Sequence, residues 1–147
     1  MTFGQTLRAY HRPVTAGAST LSPNAREFLG AARYATISTI NPDGGPHQAI
    51  VWYLLEGDDL IVNSRPERRW PRNLAGDPRI SIAIYESERP HHWFGVKGVA
   101  ELLHEGAEAM ADIQAMARRY GSDPEKYVGQ DRLSYRIRIE RVFEYDS

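Results

Sequence analysis

The sequence predicts a mainly β fold with peripheral helices, in which six antiparallel strands form a small closed or split barrel. Six segments carry strand signals: Tyr34 to Ile40, His47 to Leu55, Leu60 to Asn63, Arg79 to Tyr85, Trp93 to Leu103 and Ser134 to Tyr145. They are rich in β-branched residues or alternate between apolar and polar side chains with the two-residue period of a pleated strand. The links 41–46 and 56–59 are too short for parallel crossovers, so the first three strands are expected to run as a meander. Neither a P-loop nor a G-x-G-x-x-G fingerprint is present, and the pattern favours a barrel over a sandwich or a doubly wound nucleotide-binding sheet.

The chain is expected to open with an arm over residues 1–21, followed by a single domain over residues 22–147. Ser22 and Pro23 begin a short helix, Ser22 as its cap and Pro23 in its first turn, and Gly30 or a later residue ends it. The first strand runs into Asn41-Pro-Asp-Gly-Gly-Pro46, a cluster of turn formers that reverses the chain, and Glu56-Gly-Asp-Asp59 reverses it again. In the fourth strand Ile80, Ile82 and Ile84 share one face while Ser81, Ala83 and Tyr85 share the other. Gly95 and Gly98 interrupt the fifth, as happens where a barrel bends sharply or where a ligand or another backbone comes close. Between the last two strands Ala107, Met110, Ile113 or Gln114, Ala117 and Tyr120 recur at helical spacing. They predict a helix over 105–120 that lays one stripe on the barrel and stops at Gly121. In the last strand Tyr135, Ile137 and Ile139 alternate with Arg136, Arg138 and Glu140, and Val142 breaks the phase, which places a bulge near Arg141.

Composition excludes several functions. A chain of 147 residues suits one domain, and 41% hydrophobic with 25% charged residues is ordinary for a soluble globular protein. No segment approaches the roughly 18 apolar residues of a membrane span, and the polar N-terminal region has no apolar stretch of signal-peptide length; a cytoplasmic protein with no membrane partner is expected. The absence of cysteine rules out disulfides, thiolate metal sites, iron–sulfur ligation and a cysteine nucleophile. A formal net charge of −1 provides no bulk attraction to nucleic acid, so any basic site is local.

One basic site stands out. In Ser64-Arg-Pro-Glu-Arg-Arg-Trp-Pro-Arg-Asn73, Arg65, Arg68, Arg69 and Arg72 have the i, i+3, i+4, i+7 spacing of one helix face, where like charges repel and an anion relieves them. Ser64 and Glu67 fit a capping box, which would begin a helix at Ser64 with its free N–H groups aimed outward. Pro71 interrupts such a helix and predicts either a kink or a fresh helix starting near Pro71, with Gly76 and Pro78 ending it. Arginine clusters bind phosphates and carboxylates through bidentate, charge-assisted hydrogen bonds. The alternative is a solvated basic face paired with acidic neighbours.

The segments Ala35-Thr-Ile-Ser-Thr-Ile, Pro42-Asp-Gly-Gly-Pro-His, Val51-Trp-Tyr, Arg72-Asn-Leu, Asp77-Pro-Arg-Ile-Ser-Ile and Val96-Lys-Gly-Val-Ala-Glu occur in an order and spacing that resembles the pyridoxamine 5'-phosphate oxidase-like split-barrel flavoproteins. Within that family the chain looks most like the branch that uses the deazaflavin coenzyme F-420. The resemblance covers about Pro23 to Tyr145. It implies an oxidoreductase that transfers a hydride from the reduced deazaflavin, an 8-hydroxy-5-deazaflavin, to a conjugated small organic substrate. It also implies a homodimer with each coenzyme between subunits. His47, Gln48, Ala49, Ile50 and Val51 would line the ring, while Ser64, Arg68, Arg69, Arg72 and Asn73 would surround the phosphate. Members often carry lysine three residues before the Asn of Arg-Asn-Leu, where this chain has Trp70, which could instead stack on ring or substrate. A deazaflavin with a carboxylate-rich tail suits a surplus of arginine better than FMN does. An FMN-dependent enzyme and a non-catalytic flavin-binding module are the alternatives.

No catalytic residue is identified by motif. His47 is a candidate proton donor or a strand-start residue at the barrel edge. Lys97, between the glycines Gly95 and Gly98 on the fifth strand, would neutralise an acidic substrate or coenzyme tail, or is an exposed edge lysine. His91 and His92 are neighbours in an extended segment and point to opposite faces, so no metal site is expected from them. Trp52, Tyr53, Trp93 and Phe94 would form a pocket floor, a core or a dimer interface. Ser38 and Ser134 lack a nucleophile elbow or a matched base, leaving serine-dependent hydrolysis without support.

Overall fold

A computed structural model describes residues 21–147 in full and the backbone of residues 6–11. The strands are β1 (Thr6–His11), β2 (Ala35–Ile40), β3 (Pro46–Val51), β4 (Leu54–Glu56), β5 (Asp59–Ser64), β6 (Arg79–Glu86), β7 (Arg89–Glu105) and β8 (Leu133–Asp146). The helices are α1 (Pro23–Gly30), α2 (Arg69–Gly76) and α3 (Gly106–Arg119), with one 3₁₀ turn at Pro124–Tyr127. All pairings are antiparallel, in the order β3-β2-β6-β7-β8-β5-β4, with β1 also paired to β8. The sheet is therefore a split barrel, mainly β with peripheral helices. No helix among the described residues is long and apolar enough to cross a membrane.

Two strand expectations are corrected. The segment 47–55 is not one strand: Trp52 and Tyr53 interrupt it, and β3 and β4 lie at opposite ends of the sheet order. The first three strands therefore form two separate hairpins, β2–β3 and β4–β5, and no meander. Tyr53 is fully buried at the crossing, where its hydroxyl donates to Ala31 O at 3.1 Å and burial pushes its pKa up. β1, which lies within the expected arm, adds a strand beside the distal half of β8, while β5 pairs with the proximal half. Most of the arm, residues 1–5 and 12–20, lies outside the described residues.

Local rules account for much of the rest. α1 begins as expected: Ser22 Oγ accepts from Ala25 N at 3.1 Å, and Phe28 and Leu29 are buried below. β6 buries Ile80, Ile82 and Ile84 and exposes the alternate residues. α3 buries Ala109, Ile113, Met116 and Ala117, a stripe shifted from the expected one because Ala107 stays exposed in the first turn. The bulge falls where the register moves from Lys97 opposite Arg141 to Gly98 opposite Ile139, leaving Glu140 as the extra residue. A Cβ on Gly98 would stand 2.5 Å from Arg138 O, the close backbone approach anticipated for this glycine.

The main core fills the inside of the barrel with Ile37, Leu60, Val62, Ile82, Ile84, Phe94, Val96, Ile137 and Ile139, closed by Phe28 and Leu29 of α1 and Trp70 and Leu74 of α2. β5 is buried on both faces. Leu60 and Val62 belong to this core, whereas Ile61 packs against Ile113 and Met116 of α3 in a second cluster. Asn63, on the same side as Ile61, is thereby carried under α3, where Nδ2 donates to Ala109 O at 2.9 Å.

Candidate functional site

Cationic and aromatic side chains line an open cleft of about 220 Å³ between β3, α3 and the start of α2. Its aromatic lining comes from Tyr34, Trp52, Trp70 and Tyr127, and its aliphatic lining from Ile50, Val51, Ile113 and Met116. The polar lining is Asn63, Arg68 and Arg132. Two arginines thus face the cleft and no carboxylate does. Trp52 is held by near-parallel stacking on Tyr120, 5.0 Å between centroids. The Tyr120 hydroxyl donates in turn to Arg33 O at 2.6 Å and accepts from Tyr53 N at 3.3 Å, so this wall is tied to the β3–β4 crossing and to the link between α1 and β2.

The arginine-rich segment does not form the single helical face expected of it. Ser64 is the last residue of β5, paired opposite Leu133, and its hydroxyl donates to Arg65 O at 3.0 Å, so no capping box forms with Glu67. Residues 65–68 make a turn, Arg68 N donating to Arg65 O at 3.3 Å, and α2 starts at Arg69 with Pro71 in its first turn. There the missing N–H of proline costs no intrahelical bond, which is the fresh-start alternative rather than the kinked helix. Glu67 pairs with Arg65 at 2.7 Å. Arg68, Arg69 and Arg72 have no carboxylate at ion-pair distance among the described residues.

The expected site residues separate into distinct places. Ile50, Val51, Arg68 and Trp70 meet in the main cleft. His47 and Arg69 line a neighbouring shallow hollow with Asn41, Pro42 and Asp43. Strand alternation turns His47, Ala49 and Val51 half inward and leaves Gln48 and Ile50 exposed, and neither Gln48 nor Ala49 lines these two hollows. Trp70 is buried with its ring 6.4 Å from that of Tyr135, so it is a wall of the core as much as of the cleft. Asn73 is buried too. Its amide donates to Thr39 Oγ1 and to Asn41 Oδ1, each at 3.0 Å, so both hydrogens hold α2 against β2 and the following turn. Ser64 is likewise buried, and Arg72 is exposed and lines neither hollow. Lys97 is exposed in a third hollow with Ser38, Pro46, Arg79 and Glu140.

Sequence reasoning missed Arg132, Asn63, Tyr34 and Tyr127. Arg132 is 6% exposed. Its Nε donates to Asn63 Oδ1 at 2.8 Å and Nη1 to Gln130 Oε1 at 3.0 Å, and the guanidinium lies 5.4 Å from the Tyr127 ring centroid. Burial, followed by the like charges of Arg68 and Arg65, pushes its pKa below the ordinary arginine value. A lone arginine in Gln-Asp-Arg-Leu carries no motif; only its contacts mark it.

A cleft lined by four aromatic side chains and two arginines, with no carboxylate, can hold a planar molecule bearing an acidic group. A family model described as pyridoxamine 5'-phosphate oxidase matches residues 21–146. No curated protein sequence matches the chain significantly. Among solved structures, the chain is similar to an F-420 reductase, at 20% identity and a TM-score of 0.70, covering 80% of this chain and 94% of that one. It is similar also to a heme-binding protein from Mycobacterium smegmatis, at 26% identity and a TM-score of 0.65, covering 84% of this chain and 56% of that one. A third, the heme storage protein HutZ from Vibrio cholerae, has 21% identity and a TM-score of 0.68, covering 86% and 96%. The split-barrel topology and a match over nearly the whole described chain lead to one conclusion: the chain belongs to the pyridoxamine 5'-phosphate oxidase family.

Proposed function

We propose that this protein is an oxidoreductase that binds a flavin-type coenzyme in the main cleft, a deazaflavin of the F-420 kind as first assignment and FMN as its alternative. The observation that supports it is the lining itself: aromatic walls, two arginines and no acid. A planar ring stacks or slides between Trp52, Tyr34 and the β3 edge, and its phosphate meets Arg68 and Arg132. The similar F-420 reductase lends the deazaflavin assignment further support. A heme, the ligand named for two other similar structures, is favoured less, because no histidine lines the main cleft and His92 is engaged by Glu86 and Glu144 at 3.1 and 3.3 Å.

Such a coenzyme supplies a hydride to a conjugated acceptor. The chain's own contribution is to hold the phosphate, fix the ring against β3 and keep water from the buried side. The accompanying proton comes from solvent or from His47 in the adjacent hollow. Ile50 and Tyr34, 72% and 56% exposed at the cleft, leave its outer side for a second subunit or the substrate to cover.

The test is a fluorescence titration of the purified protein with coenzyme F-420, FMN and hemin at low and high salt. The expected result is salt-sensitive binding of the deazaflavin and bleaching of its reduced form when a quinone, enone or tetrapyrrole is added. Tight FMN binding without deazaflavin binding reassigns the coenzyme; tight binding with no turnover across the acceptor panel overturns the enzyme reading in favour of a carrier.

A further inference from the structure

We propose that Tyr120, which does not itself line the main cleft, is the positioning residue that fixes Trp52 and Tyr34 as the ring-binding wall of that cleft. The proposal rests on the reading of the main cleft as the coenzyme site, and it concerns the ring of the ligand, not its phosphate. Tyr120 directly follows α3 and is half-buried. Its ring stacks on that of Trp52, 5.0 Å between centroids and 12° from parallel, and lies 6.0 Å from that of Tyr34. Its hydroxyl is joined to the backbone beside each of these two residues. It donates to Arg33 O, immediately before Tyr34, at 2.6 Å, and accepts at 3.3 Å from the N–H of Tyr53, immediately after Trp52. One side chain thus holds both cleft aromatics, by ring and by backbone, although they come from different links of the chain.

A near-parallel stack commits one face of the Trp52 indole to Tyr120, so the cleft receives its other face or its edge. Trp52 and Tyr53 lie between β3 and β4, outside any strand, so no ladder fixes the backbone that carries the indole. The bond from Tyr53 N to the Tyr120 hydroxyl supplies that restraint. Burial, the largest influence, pushes the Tyr120 pKa up, so the hydroxyl keeps the hydrogen it donates to Arg33 O. The end of α3 is itself anchored. Tyr120 N donates to Met116 O at 2.9 Å, and Arg119 donates to Gly30 O, at the start of the link that carries Arg33 and Tyr34. A tryptophan held in one orientation before binding offers a flat ring its surface without a further ordering cost, which favours planar ligands selectively. A phosphate or a saturated chain draws nothing from it.

The variants are Tyr120→Phe, which keeps the stack and loses the hydroxyl, and Tyr120→Leu, which loses both, with Trp52→Phe as the reference for the indole. Each is titrated by fluorescence with FMN, riboflavin, F-420 and the phosphate-free deazaflavin. Near-ultraviolet circular dichroism of the unliganded protein reports the surroundings of the indole, and thermal melts establish that each variant is folded. The expected result is that all four ring ligands weaken by a common factor, about 2- to 10-fold in Tyr120→Phe and about 10- to 100-fold in Tyr120→Leu. The ratio of FMN to riboflavin affinity, which isolates the phosphate, stays at its wild-type value. Tyr120→Leu also loses the dichroic signal that Trp52→Phe loses, and Tyr120→Phe retains part of it. A ratio that falls together with the ring affinities and the melting temperature shows a tyrosine that merely supports the fold and overturns the proposal. Ring affinities unchanged in both variants overturn it too, and leave the coenzyme reading standing. Failure of the wild type to bind any of the four ligands overturns the coenzyme reading; the dichroism then decides Tyr120 separately, a lost Trp52 signal keeping it as the residue that sets the wall and an unchanged one removing it. Should Tyr120→Leu not fold, Tyr120→Phe decides by the same comparisons.

Discussion

His104 stands with its Nδ1 2.7 Å from Asp112 Oδ2, an oxygen that also accepts from the Ser134 hydroxyl at 2.6 Å. Its pKa is raised, first by the hydrogen bond to Asp112, with burial opposing and the charges of Asp112, Glu108 and Glu56 reinforcing. The folded protein therefore holds this proton more tightly than the unfolded chain does. The resulting stabilisation is full below the ordinary histidine value near 6.5 and fades as pH rises through the folded-state pKa. His104→Gln should therefore melt below wild type by a margin that is full below the ordinary histidine value near 6.5 and narrows as pH rises above it. A margin that does not change with pH would mean the imidazole is held by packing alone. Because this side chain is partly exposed, added salt should shrink the margin as well.

The β7–β8 pair is the longest ladder in the sheet, and Gly98 is the described glycine at which an added Cβ would crowd its surroundings most. Gly98→Ala would place a methyl group 2.5 Å from Arg138 O and 3.0 Å from Ile137 Cγ2, neither of which can retreat without disturbing the ladder or the core. The expected cost is about 1–3 kcal/mol, which for a chain of this length lowers the melting temperature by roughly 2–12 °C. Gly95→Ala is the companion measurement. Its new methyl would first meet Trp93 Cζ3 at 3.3 Å, an aromatic edge that can shift, so its melt should fall closer to wild type. Equal losses for the two variants would argue that strand entropy, not the close approach, governs both. α2 illustrates the same competition between elements. Ser64 is taken by the β5–β8 ladder, so the helix begins only where Pro71 permits it, at Arg69.

For the molecule as a whole, the proposed homodimer would cover the open side of the cleft. β3 is a terminal strand of the sheet order, and Ile50 on it is 72% exposed beside half-exposed Tyr34. An unpartnered edge with a large apolar residue is a surface that proteins ordinarily cover. Ile50→Glu should thus shift the protein from dimer toward monomer in sedimentation or light scattering and weaken coenzyme binding with it. A wild type that remains monomeric at tens of micromolar would refute the dimer, and would leave each cleft to be closed by its own chain or by substrate.

Reading the chain alone recovered the features governed by near neighbours in sequence: the Ser22-capped helix, the buried isoleucine face of β6, the phase break in β8 and the need for glycine at position 98. Periodicity, capping and backbone crowding act over a few residues, so they are written locally. It also singled out the neighbourhood of Arg68 and Trp70, because a charge cluster after a strand must lie at a rim. It could not divide those residues among hollows, since that depends on which way each backbone turn aims its side chains. Nor could it set β3 and β4 at opposite ends of the sheet, because strand pairing is decided by contacts far apart in the chain. Arg132 is the clearest instance. Its sequence context is that of a surface arginine, and it becomes a buried, unpaired cation only because β5 carries Asn63 beneath α3 to meet it.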